Sequence, residues 1–273
     1  MQAPKLIDIK ELIRSKNPKL LRFLPGFVIR YLRKTLHEKE LNAFIEAHGE
    51  LEGLAFCEAA TSYFNFKFEV EHMERIPKSG PIIIAMNHPL GGVDAIAFIV
   101  ALKNHRTDLK FIVNDILMNI ENLNTYFVGI NKHGSNGISV RERIKQAFYQ
   151  DHALCIFPSG MVSRVHEGII QDFEWKKTFM TYGRELNRPI VPIHISGQLS
   201  PFFYRLFKFR TWLGIKANLE MFYLADEMLK QKNKTIRYTV GEPIMGKDVD
   251  PSMDDITAAN WFKSIVYQLK NTK

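Results

Sequence analysis

Apolar and polar positions divide the chain into two regimes. From about Leu6 to Tyr63 the apolar residues recur at helical spacing with no strand-like alternation, which predicts a helical N-terminal segment over residues 1–65. From Phe66 onward, short apolar runs bounded by Gly, Pro and polar residues alternate with helical stretches. Strands are predicted at 66–72, 81–86, 109–113, 126–130, 153–157, 190–195, 219–224 and 236–240, and helices at 95–103, 139–149, 173–186 and 256–270. Strands alternating with helices imply right-handed crossovers, so residues 66–273 read as an α/β domain built on a mixed, largely parallel sheet flanked by helices. Sheets of that kind hold ligands beyond the carboxyl ends of their strands. No internal repeat, low-complexity tract or linker interrupts the pattern.

One strand end stands out for its chemistry. The run Pro81-Ile82-Ile83-Ile84-Ala85-Met86 leads directly into Asn87-His88-Pro89-Leu90-Gly91-Gly92-Val93-Asp94. Histidine is the side chain that titrates nearest neutrality, and a nearby aspartate can hold its tautomer, so His88 and Asp94 read as a general base with its orienter. The plainer reading keeps Asp94 as a helix cap and His88 as a satisfied strand-end residue.

Composition narrows the class. At 273 residues the chain can bury a sizeable core. Two distant cysteines, Cys57 and Cys155, suggest reduced thiols and a cytoplasmic setting, and no metal-ligand cluster is visible. The start lacks the basic and apolar regions of a secretory signal, and no stretch approaches the roughly 18 apolar residues of a membrane span. A net charge of +8 and a pI near 9.3 point to an anionic partner: nucleic acid, an acidic lipid surface or an anionic substrate.

Three further strand ends carry turn residues or cations. Phe157-Pro158-Ser159-Gly160-Met161-Val162-Ser163-Arg164 offers backbone amides and a guanidinium to an anion; Gly129 is followed by Lys132; and Ile190-Val191-Pro192-Ile193 precedes Ser196-Gly197. Taken singly, each is equally an ordinary turn or a solvated charge.

In this order the blocks resemble those of the glycerolipid acyltransferase family. The family's Asn-His-x4-Asp is matched by Asn87, His88 and Asp94 with one extra residue; its Phe-Pro-Glu-Gly-Thr-Arg-Ser by residues 157–164; its apolar-Val-Pro-apolar strand by residues 190–193; Gly129 with Lys132 stands in loosely for a Gly-Arg block. The likeness spans roughly residues 66–242. Ser159 replaces the family's Glu and Met161 its Thr. Asn-His-Pro with Gly-Gly and a shifted Asp, followed by Phe-Pro-Ser-Gly, Asp172 and Trp175, is closer to the hemolysin-like branch, associated with O-acylation of lyso-aminolipids besides phospholipid precursors. The resemblance implies an enzyme that moves a fatty acyl group from acyl-ACP or acyl-CoA to a lyso-lipid or glycerolipid hydroxyl, with no bound cofactor or metal. It implies His88 and Asp94 as catalytic residues, and substrate contacts from Asn87, Gly91, Gly92, Lys132, Ser159, Gly160, Ser163 and Arg164. The extra residue in the first block requires Gly91-Gly92 to bend the chain so that carboxylate meets imidazole. The competing class is a non-catalytic peripheral lipid-binding protein on the same fold.

Two stretches mix aromatics with cations: residues 19–34 and Pro201-Phe202-Phe203-Tyr204-Arg205-Leu206-Phe207-Lys208-Phe209-Arg210-Thr211-Trp212-Leu213. The first reads as an amphipathic membrane-facing element or a helical arm packed on the main domain. The second favours lipid contact over stacking of single-stranded bases or a buried aromatic helix, since no nucleic-acid fold signature accompanies it. The expectation is a protein peripheral on the cytoplasmic face of the inner membrane, meeting anionic lipid and no nucleic acid.

Overall fold

The computed structural model describes residues 7–16, 22–113, 118, 120–129, 140–216 and 218–271. An N-terminal run of helices, α1 (Ile9–Lys16), α2 (Gly26–Thr35), α3 (Glu38–His48) and α4 (Gly53–Tyr63), precedes the sheet domain. Then follow β1 (Lys67–Glu71), β2 (Ile82–Met86), α5 (Gly92–Ala101), β3 (Leu109–Val113), β4 (Phe127–Gly129), α6 (Val140–Tyr149) and β5 (Ala153–Ile156). The remainder comprises β6 (Arg164–His166), β7 (Ile169–Gln171), α7 (Thr178–Glu185), β8 (Pro189–Ile195), α8 (Pro201–Trp212), α9 (Leu224–Leu229), β9 (Thr235–Val240), β10 (Ile244–Met245) and α10 (Asp255–Gln268).

The main sheet runs β1-β9-β8-β2-β5-β3-β4, with β10 beside β8, and β6 pairs β7 in a separate hairpin. Strands β8, β2, β5, β3 and β4 are parallel; β9 is antiparallel to β8 and carries β1 parallel to itself. The sheet is therefore mixed and largely parallel, as the alternating pattern predicts. Because both faces are covered, successive residues of one strand enter different cores. Ile82, Ile84 and Met86 of β2 pack with α3, α4 and α5, while Ile83 and Ala85 pack with α6, α7 and α10. Each fully buried isoleucine contributes about 1.5–3 kcal/mol. Phe44, Phe56, Cys57 and Ala60 place α3 and α4 in the same core as α5.

Three local departures have identifiable causes. Residues 219–224 form a 3-10 turn (Leu219–Tyr223) leading into α9, not a strand. Glu220 points inward there to meet two arginines, and β1 already closes the sheet beside β9. The helix predicted from 173 starts only at Thr178, since the intervening amides serve tertiary contacts: Trp175 N–H donates to Asn260 Oδ1 at 3.2 Å and Lys176 N–H to Pro158 O at 3.1 Å. The unpredicted β6–β7 hairpin turns at Glu167-Gly168, both at positive φ (50° and 85°), the turn type that an X-Gly pair favours. Pro192 is tolerated inside β8 because it falls where pairing passes from β10 to β9, its carbonyl accepting from Gly241 N–H at 2.8 Å.

Candidate active site

The carboxyl ends of β2, β5 and β8 converge on the loop after Met86. Gly91 (φ 82°, ψ −138°) turns the chain sharply into α5, a conformation that a side chain would strain. The turn brings Asp94, in the first helical turn, back over the loop. Its Oδ2 accepts from Leu90 N–H at 3.0 Å, Gly91 N–H at 3.1 Å and His88 Nδ1 at 2.9 Å. One oxygen thus takes both the amides ahead of the helix and the imidazole; the N-cap itself is Gly91, and Asp94 stands at the third helical position. Gly91 alone makes the bend; Gly92 has no positive φ and begins the helix beside the cavity.

Asp94 is wholly buried. Burial pushes its carboxyl upward from the ordinary 3.8, opposed by His88 and the two amides. Its Oδ1 has no hydrogen-bond partner among the described residues. With Nδ1 directed at a carboxylate, the ring carries its proton there, leaving Nε2 as an acceptor. The ring lies against Phe157, centroids 4.1 Å apart and planes 22° from parallel.

The His88 backbone is gripped on both sides. Its N–H donates to Asp172 Oδ1 at 3.2 Å, and its carbonyl accepts from Ser163 N–H at 2.8 Å. Asp172, also buried, accepts from Ser163 Oγ at 2.6 Å and Trp175 Nε1 at 3.0 Å, while its carbonyl accepts from Lys263 Nζ at 2.6 Å. Tyr238 O–H donates to the Asp94 carbonyl at 2.8 Å. These grips hold the imidazole at the strand end without touching Nε2.

The remaining sequence candidates separate. Gly91, Gly92 and Gly160 line one cavity with His88. Asn87 is not presented to it: its amide spans to β8, Nδ2 donating to Ile195 O at 2.9 Å and Oδ1 accepting from Ile195 N–H at 2.6 Å. Ser159 is buried and turns inward, its hydroxyl donating to Met161 O at 2.7 Å. Ser163 serves the Asp172 grip. Arg164 is 1 % exposed and is bound by Glu220, whose other oxygen takes Arg210 Nε at 2.6 Å. Burial and Glu220 occupy that guanidinium in the core, stacked over Phe203 at 4.7 Å. Lys132 lies outside the described residues. Among the described residues, the lysine that lines the cavity is Lys176, which the strand-end motifs passed over; its signal was a lysine just ahead of a helix.

The cavity, about 320 Å³, is lined by His88, by Ala95 and Ile96 of α5, Val113 of β3, Phe127 of β4 and Phe148 of α6. Such walls suit a hydrocarbon chain, each buried methylene contributing about 0.8 kcal/mol. No group of three or more His, Cys, Asp or Glu among the described residues is arranged to hold a metal ion.

A second surface gathers aromatics. Ser200 caps α8, accepting from Phe203 N–H, with Pro201 at the first helical position. Phe203, Tyr204 and Phe207 turn inward while Phe202, Phe209 and Trp212 face out, so the stretch is half core and half surface. Tyr31 of α2 meets Tyr223 at 2.7 Å between hydroxyls, and Phe202 packs on the Tyr223 ring, which joins this surface to the exposed Phe23, Phe27 and Tyr31. Arg22, Arg30, Arg205, Lys208 and Lys216 are exposed around it. Among the described residues no helix is long and apolar enough to cross a membrane.

The sequence model of an acyltransferase family matches residues 11–273. Lyso-glycine lipid O-acyltransferase from Bacteroides thetaiotaomicron is 39% identical over 265 residues, covering 97% of each chain. Its counterpart from Phocaeicola vulgatus is 38% identical over 265 residues, 97% of this chain and 95% of that protein. The crystal structure of 1-acyl-sn-glycerophosphate acyltransferase from Thermotoga maritima aligns with a TM-score of 0.49 at 17% identity, covering 96% of this chain and 92% of that one.

Proposed function

This chain belongs to the acyltransferase family whose sequence model spans residues 11–273, and from that membership we propose that it O-acylates a lyso-aminolipid of the lyso-glycine kind. It is an acyltransferase of lipid biosynthesis. The proposal adds the acceptor, a thioester donor (acyl-ACP or acyl-CoA), and His88 as general base oriented by Asp94. The observation that carries it is the 2.9 Å contact between His88 Nδ1 and Asp94, with His88 lining an apolar cavity.

Acyl transfer from a thioester needs a base, donors for the developing oxyanion and exclusion of water. The acceptor hydroxyl approaches His88 Nε2, which takes its proton as the oxygen bonds to the thioester carbonyl carbon. Asp94 stabilises the imidazolium formed. The tetrahedral intermediate collapses with cleavage of the carbon–sulfur bond, and the thiolate recovers the proton from Nε2. The donor's hydrocarbon fills the cavity lined by Ile96, Val113, Phe127 and Phe148, keeping water from the carbonyl.

The aromatic surface on α2 and α8, ringed by cations, is the face we assign to the cytoplasmic leaflet. Aromatic rings enter the headgroup boundary while Arg and Lys meet anionic lipids. Phe209→Ser with Trp212→Ser is expected to weaken cosedimentation with anionic phospholipid vesicles at least tenfold; unaltered binding would remove this face from the membrane.

The purified protein, given lyso-glycine lipid and a long-chain acyl thioester, is expected to form the O-acyl product detected by mass spectrometry. Transfer to lysophosphatidic acid with none to lyso-glycine lipid would overturn the acceptor assignment.

A further inference from the structure

Gly160 follows β5 at φ 68°, and a Cβ there would stand 2.8 Å from Lys176 Nζ. The lysine ammonium therefore rests directly on the turn, against the face of Gly160 that carries no side chain. Its backbone is anchored, the amide donating to Pro158 O at 3.1 Å next to the buried Trp175. The ammonium itself has no hydrogen-bond or ion-pair partner among the described residues. It lines the same cavity as His88, as does Thr178 at the start of α7, the positive end of that helix's dipole. Arg164, by contrast, is consumed by Glu220 within the core.

We propose that Lys176 binds the carboxylate of the acyl acceptor and so selects a carboxylate headgroup at this site. The inference rests on the acceptor being a lyso-aminolipid: glycine held through its nitrogen keeps its carboxylate free. An ammonium on a flexible stem pairs as a point charge with any anionic headgroup, so the carboxylate follows from the proposed acceptor, and Arg164, held by Glu220 in the core, does not compete for it. Lys176 grips the headgroup on the β5 side while the hydroxyl meets His88 Nε2.

The phosphates or acidic surface of the thioester donor offer the same ammonium an anion, and kinetics separates the two sources. The parent enzyme, Lys176→Met and Lys176→Arg are assayed with lyso-glycine lipid and with its carboxyl methyl ester, each against varied acceptor and varied donor. The parent is expected to favour the acid over the ester in kcat/KM. In Lys176→Met that preference falls at least tenfold, chiefly through the KM of the acid, with the donor KM unmoved; Lys176→Arg recovers a larger part of it than methionine. An acid-to-ester ratio equal in parent and Lys176→Met overturns the inference, as does a loss that follows the donor KM. Failure of the parent to acylate either form overturns the acceptor assignment itself, and this inference with it.

Discussion

Replacing His88 by alanine is expected to lower kcat by about 10²- to 10⁴-fold, with the KM values for both substrates changing only a few-fold. On the proposed mechanism the imidazole acts on the hydroxyl proton in the transition state, whereas the acyl chain would be held by apolar walls that the substitution leaves in place. The fold survives because the grips on residue 88 are made through its backbone, by Asp172 and Ser163 N–H. The lost Nδ1 bond to Asp94 and the lost packing on Phe157 together cost about 1–2 kcal/mol of stability. Steady-state rates with a thermal melt check both halves: an alanine variant that keeps the parental kcat would remove His88 from the chemistry, and a variant that fails to melt cooperatively would make the residue structural.

Asp94→Asn should be more informative still, since activity and stability are expected to move in opposite directions. Because one carboxylate oxygen takes all three bonds, an asparagine carbonyl in its place still accepts from Leu90 N–H, Gly91 N–H and His88 Nδ1, preserving the cap and the contact, but it carries no charge. On the proposed mechanism the imidazolium formed as Nε2 takes the hydroxyl proton then has no counter-charge, and kcat is expected to fall by about tenfold or more. Stability follows the carboxyl's own titration. Burial raises its folded value above the ordinary 3.8, so the folded protein holds this proton more tightly than the unfolded chain. The associated stabilisation is fully present below that ordinary value and is lost as pH rises through the folded one. The variant, carrying no charge to desolvate, escapes that loss. Its Tm should match the parent's near pH 4 and exceed it at pH 8; a Tm below the parent's at pH 8 would mean that the ion pair with His88 outweighs burial.

The His88–Asp94 pair was legible because its parts lie close in sequence and the turn between them is spelled by Gly91. The one-residue excess in the block predicted a bend, and the structure supplies it at Gly91 without needing Gly92. Arg164 shows the opposite case. In sequence it follows a turn at a strand end and reads as an anion-binding cation, yet its partner Glu220 stands 56 positions away, in a segment whose apolar alternation reads as a strand. Nothing local announces that the two belong together. Asn87 is similar: its amide is committed to Ile195, 108 positions on, and only sheet order places β8 beside β2.

The sequence by itself determined the alternation of strands and helices, the two-sided burial of β2, β5 and β8, the helical character of the N-terminal stretch and the pairing of His88 with Asp94. These follow from periodicity and short-range turn chemistry, which act within about a dozen residues. Tertiary structure alone decided that Asp172 holds the His88 backbone from 84 positions away, that Arg164 is a core residue, and that Lys176 lines the cavity. The physical reason is that a polar side chain's role depends on whether a partner meets it once the chain is folded. A buried guanidinium requires a carboxylate, while an ammonium that lines an open cavity can stand without one.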